Sequence, residues 1–247
     1  MSQLGFSQDF RPPFRQATVS GANGQVTVHA FEPRPLDGAL EAIRREFGWL
    51  ADYEDPPYEV YDRVDDTAPA WRTQHPEAKG VTRVAGGEFT ASFHVGQNGQ
   101  NTDEIAALTE IVDAYNASGN PAHFAMRRSP EGRLSVVGVS VKGKNGDQKD
   151  IQPLLDQPLT LPLQERTLAE TLTLITQLLS QTSGHKVVLG EAPTNLLLQT
   201  KVKSGGSGTA ARTLLSQALL SSPVPLIWRL LYDGDVDWYA LNLEPLK

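Results

Sequence analysis

Residues 32–48 read EPRPLDGALEAIRREFG, and residues 164–180 read QERTLAETLTLITQLLS. Set in register, Leu36, Leu40, Ile43 and Phe47 fall on Leu168, Leu172, Ile175 and Leu179. In both stretches the apolar residues recur three and four positions apart, the spacing of one buried helix face. Pro35 suits a first helical turn, whose amides have no partner within the helix, and Gly48 and Gly184 suit the two ends.

The likeness extends outward. Val26, Val28 and Ala30 alternate as a strand before the first helix, and Leu159, Leu161 and Leu163 do so before the second. WLADYE (49–54) and HKVVLGEAP (185–193) read as the strands that follow, then Phe89, Ala91, Phe93 and Val95 in one copy and NLLLQTKVKS (195–204) in the other. Two glycine-rich turns come next, GQNGQNT (96–102) and GGSGT (205–209). Each opens a helix, with Asn101 or Thr102 as the expected cap of the first. Ile105, Leu108, Ile111, Val112 and Tyr115 form one apolar face; Ala211, Leu214, Leu215, Ala218 and Leu219 form the other. Asn120-Pro121 and Ser222-Pro223 stop these helices. Each copy ends in a hairpin, around Pro130-Glu131-Gly132 and Asp233-Gly234-Asp235, and Phe124-Ala125-Met126-Arg127 matches Leu226-Ile227-Trp228-Arg229.

The expected fold class is therefore α+β: two tandem β-α-β-β-α-β-β modules, each with two helices packed on one face of a small mixed sheet. Residues 1–25, with Pro12-Pro13, read as an extended arm. The first module spans 26–143 with an insertion at about 55–86, a linker runs over 144–158, and the second module spans 159–247. An unstructured insertion of that length is unusual in a compact domain.

Composition excludes several classes. The net charge of −7 argues against a nucleic-acid partner, which needs a basic face. The absence of cysteine excludes disulfides and thiolate chemistry. No apolar run is long enough to span a bilayer. MSQLGFSQDFRPPFRQ (1–16) lacks the apolar core of a signal peptide, so the chain is either cytoplasmic or an exported protein given without its signal.

In the second copy the order of parts resembles the short N-terminal domain of secretins and TonB-dependent receptors (the STN domain). A short apolar strand precedes the helix with Leu168, Leu172 and Ile175, the strand with Val187-Val188 follows, and TAARTLLSQAL (209–219) leads to an aromatic hairpin. The first copy is similar across Val26 to Val141, interrupted by its insertion. The resemblance implies a periplasmic protein that binds other proteins or copies of itself. No barrel or pore sequence follows Leu246, which implies a free-standing pair of adaptor-like domains.

Candidate sites are few. DYEDPPYEVYDRVDD (52–66) carries seven carboxylates beside Tyr53, Tyr58 and Tyr61. It reads as a solvated loop, a partner-docking patch or, less readily, a calcium loop, since the EF-hand spacing is absent. KSGGSGT (203–209) lacks the lysine placement of a phosphate loop and reads as a shared turn. His29, His94 and His123 lie on expected strands and could converge. Arg127, Arg128 and Arg229 are expected on a solvated sheet face. Trp228, Tyr232, Trp238 and Tyr239 crowd the last hairpin, and at least two should pack the core.

The expectation is a non-enzymatic envelope protein that binds a protein partner through Tyr53, Tyr58, Tyr61, Asp62, Trp238 and Tyr239. It has no catalytic residue, metal or cofactor, and self-association is compatible with it. One alternative is a small-ligand or glycan-binding protein with its site between the modules or under the insertion. Another is an enzyme built from the insertion and the strand histidines. The two features the copies do not share, the insertion and the aromatic hairpin, are where specific function is expected.

Overall fold

The computed structural model describes residues 16–22, 24–31, 33–95 and 103–246. In the first half, β1 (Thr18–Ala22) turns into β2 (Gln25–Ala30), then α1 (Pro35–Phe47) and β3 (Ala51–Glu54). The insertion holds a 3₁₀ turn (Val60–Asp62), β4 (Arg63–Asp65), α2 (Pro69–Gln74) and β5 (Thr82–Val84). After it come β6 (Phe89–His94), α3 (Glu104–Ala117), β7 (Ala122–Arg128) and β8 (Leu134–Lys142). A short β9 (Gln148–Asp150) and a 3₁₀ turn (Leu154–Asp156) lead to β10 (Pro158–Thr167), α4 (Leu168–Ser183), β11 (Lys186–Leu189), α5 (Thr194–Gln199), β12 (Lys201–Ala210), α6 (Ala211–Leu220), β13 (Leu226–Asp233) and β14 (Trp238–Pro245).

The fold is α+β. Both halves use the same pairings: β2 with β6 and β10 with β12 antiparallel, β3 with β8 and β11 with β14 parallel, and β7–β8 and β13–β14 as hairpins. The strands of each half do not form the one small sheet that was expected. β1, β2 and β6 form one small sheet and β10 and β12 another. All the others except β4 and β5 join a single long sheet in the order β11-β14-β13-β3-β8-β7, with β9 on the end of β8. The seam between the halves is the parallel pair β13–β3, where Arg229 lies beside Tyr53 and Leu230 beside Glu54.

Paired neighbours in a sheet share a face, and this separates the two helix layers. The Tyr53–Arg229 row meets the first half: Tyr53 stacks on Phe124 at 5.4 Å, and Arg229 reaches Asp37 of α1. The Glu54–Leu230 row meets the second half through Arg212 of α6. Leu36, Leu40 and Ile43 of α1 and Leu168, Leu172, Ile175 and Leu179 of α4 are all buried, as their shared spacing requires.

Helix ends follow local chemistry. Gly48 and Gly184 close α1 and α4 with φ of 73° and 79°, a region other residues rarely adopt. Thr167 and Glu170 form a reciprocal capping box at the start of α4. Asp103 caps α3 by accepting from the amides of Ile105 and Ala106; Asn101, Thr102 and the GQNGQNT stretch lie outside the described residues, as does Pro12-Pro13. Ile105 is exposed, so the buried face of α3 is Ala107, Leu108, Ile111, Val112 and Tyr115.

Four local expectations are corrected. Residues 195–199, expected as the start of a strand, belong to helix α5 (Thr194–Gln199), which buries Leu197. Lys201–Ala210 is one strand, so GGSGT is not a turn. Its glycines lie at a register shift opposite Leu161–Gln164, and a Cβ on Gly205 would strike the Pro162–Leu163 backbone. That shift turns Leu163 outward, leaving it exposed. The stretch expected as a linker, 144–158, is ordered by β9 and by fully buried Leu155, whose amide donates to Glu54 Oε1 at 3.0 Å.

Candidate interaction surface

The acidic run is not a solvated loop at its start. Asp52, Glu54 and Asp55 are almost wholly buried, because β3 lies between β13 and β8. Each carboxylate has its own guanidinium. Arg133 grips Asp52 through two bonds of 3.0 and 2.6 Å, Arg212 donates to Glu54 at 2.6 Å and to Asp156 at 3.0 Å, and Arg34 donates to Asp55 at 2.7 Å. Burial pushes the Asp52 and Glu54 carboxyls above the usual range, opposed by Arg133 and Arg212. Tyr53 donates its hydroxyl to Asp55 at 2.7 Å. These groups hold the molecule together.

They also fill the edge of β13. In an antiparallel hairpin alternate residues turn their main-chain groups outward. On β13 these are Leu226, Trp228, Leu230 and Tyr232. The Trp228 amide donates to Asp52 at 3.0 Å and the Tyr232 amide to Asp55 at 3.0 Å. The Leu230 carbonyl accepts from the Asp55 amide at 2.9 Å. The carbonyls of Leu226 and Tyr232 accept from Arg133 and Arg34. An extended acidic segment from the first half thus completes the sheet edge of the second.

The two outer edges are treated alike. At Phe124 on β7 the Asn116 side chain accepts from the amide and donates to the carbonyl, both at 2.9 Å. At Val187 on β11 the Ser180 hydroxyl does the same at 2.8 and 3.2 Å. One helix side chain thus occupies one peptide of each exposed edge, a device that limits edge-to-edge pairing.

The insertion and the last hairpin, the two unshared features, meet in space. Thr82 donates its amide and its hydroxyl to Asp235, both at 2.8 Å, and Lys79 donates to the Asp235 carbonyl at 2.6 Å. Beside this contact Asp237 has φ of 54° and accepts from the Tyr232 hydroxyl at 2.8 Å; His185 Nδ1 lies 3.0 Å from the same carboxylate. Those two contacts hold the Asp237 carboxyl below its ordinary range.

The six sequence candidates do not form one patch. Tyr53, Tyr58 and Tyr239 are core residues, and Asp62 is 5% exposed, so none of these offers a docking surface. Tyr61 is 57% exposed and Trp238 38%. Lys186 sits 3.4 Å over the Trp238 ring. Val60, Val64 and Val81 on the insertion and Val236 on the hairpin are also exposed. Of the other hairpin aromatics, Trp228 and Tyr232 are buried.

The remaining expectations resolve in the same way. His29 and His94 lie toward opposite ends of the β2–β6 ladder, and His123 lies on β7 in the long sheet, so the strand histidines do not converge. Among the described residues no group of three or more His, Asp or Glu is placed to hold a metal. Arg229 is ion-paired with Asp37 and Glu244 instead of solvated, whereas Arg127 and Arg128 are exposed. No helix among the described residues is long and apolar enough to cross a membrane. The basic partners of the acidic run were missed because Arg34, Arg133 and Arg212 are far apart in sequence and no local spacing links them to β3. Comparison with protein-family models, characterised proteins and solved structures finds no match.

Proposed function

We propose that this chain is a non-enzymatic protein-binding module that recognises extended segments through the edges of its long sheet. The observation that carries this is the seam. The hairpin edge of one half captures a strand from a distant part of the chain by main-chain hydrogen bonds, the mode known as strand addition. The STN resemblance supports the same reading: it implies protein binding and a periplasmic or otherwise exported setting. A cytoplasmic setting is the alternative.

Affinity capture from an extract of the native host, followed by titration of the purified partner, tests this. The expected result is a saturable complex. Failure to recover a partner, with the protein strictly monomeric, overturns it.

A second reading has one observation in its favour. Phe31, Arg34, Asp37, Arg45, Arg229 and Leu231 line a groove of 400 Å³ at the seam, suited in size to a small ligand. A thermal-shift panel of sugars, peptides and divalent ions separates the readings; a sugar- or ion-induced rise in Tm favours the groove.

A further inference from the structure

We infer that β7 is the strand that receives a partner, and that the partner contributes an extended acidic segment lying parallel to it. The inference rests on the protein-binding reading above and names the chemistry of the partner. β7 and β13 hold the same place in the same pairing scheme, each the first strand of its hairpin. Met126 stands where Trp228 stands, and Arg127 where Arg229 stands.

Every outward main-chain position of β13 from Leu226 to Tyr232 is engaged by the first half. On β7 the outward positions are Phe124, Met126 and Arg128, because the Ser129 amide bonds across the hairpin to Arg133 and the strand alternates from there. Phe124 is taken by Asn116. Among the described residues the outward groups of Met126 and Arg128 have no partner, and β7 ends the sheet.

The chain itself shows what such an edge accepts. Its own occupant on β13 is Ala51-Asp52-Tyr53-Glu54-Asp55, parallel, with carboxylates receiving strand amides where the occupant's backbone does not. The open edge carries the complementary charge. Arg127 and Arg128 are exposed and have no ion-pair partner among the described residues, in a chain whose net charge is −7. A second copy fits less well: its own outer strand, Lys186–Leu189, carries a lysine and no acid, and Ser180 occupies one of its peptides.

The probe is a synthetic peptide with the sequence of residues 50–55, LADYED, beside a neutral form, LANYQN. Titration into the whole protein is followed by amide NMR shifts. The expected result is saturable shifts centred on Met126 and Arg128 with LADYED and much weaker ones with LANYQN. Met126→Pro removes an outward amide that no other group uses, which an edge strand tolerates. With Tm unchanged it should weaken binding about tenfold, the worth of a lost main-chain bond and its neighbour. The double change Arg127→Glu, Arg128→Glu should reverse the preference, toward the basic peptide LAKYKK.

No saturable shift, or shifts centred elsewhere, overturns the inference. So does self-association of the peptide-free protein that Met126→Pro abolishes, since the occupant is then a second copy. If a captured partner protein is held equally by wild type and Met126→Pro, the assignment to β7 falls while the protein-binding reading stands.

Discussion

Removing the guanidinium of Arg212 leaves Glu54 charged and buried with only the Leu155 amide donating to it, a change that costs about 3–5 kcal/mol. Arg212→Met should lower the urea midpoint accordingly. Adding Glu54→Met should recover much of the loss, because a buried pair contributes little beyond an apolar pair of similar size. Asp62 offers a pH test. Its carboxylate is buried with Oδ2 unpartnered, and burial raises its pKa to about 6 from 3.8, opposed by Lys142. The folded state therefore holds the proton more tightly than the unfolded chain. Its stabilising effect is full below about pH 4 and is lost as pH rises through 6. Asp62→Asn should stabilise at pH 7.5 by about 1 kcal/mol, after allowing for solvent screening, and the gain should shrink as the pH falls toward 4. Thermal melts of both forms across that range check it.

Elements were the most legible part of the sequence. Period marks α1, α4 and α6 because each buries one stripe, glycine closes α1 and α4, and hairpins announce themselves through glycine and aspartate turns. The acidic strand was misjudged in its setting: a charge run usually faces water, and only guanidiniums distant in sequence make its burial affordable. Of the candidate residues, Tyr61 and Trp238 are exposed while Tyr53, Tyr58, Asp62 and Tyr239 are buried, a division the sequence does not show because the pairing that decides an edge is not local. NLLLQ reads as strand because a six-residue helix makes fewer than two turns, too few for a helical spacing to repeat. The capping box offers a check at this scale. Thr167→Ala removes the acceptor for the Glu170 amide and should cost about 1 kcal/mol by denaturant melt.

At the scale of the molecule, the long sheet makes the halves one unit. Among the described residues β13 has no strand but β3 on its outer side, so the isolated second half, residues 159–247, would expose a row of unpaired amides. We expect thermal unfolding in a single transition by calorimetry and near-UV dichroism. Cleavage engineered into the exposed Lys144–Asp147 turn should leave the two pieces co-eluting, and separate transitions would contradict this.

β3 also sets an order in time. Asp52 meets Trp228 across 176 residues, and Arg34 meets Tyr232 across 198. At synthesis rates of about 5–20 residues per second, roughly 10–35 s separate the emergence of the acidic strand from that of its partner. During that interval Asp52 and Asp55 already have Arg133 and Arg34 within the first half, and only Glu54 waits for its guanidinium on Arg212. Glu54 is thus the last of the three carboxylates to meet its guanidinium, and the pairing closes only when α6 has been made.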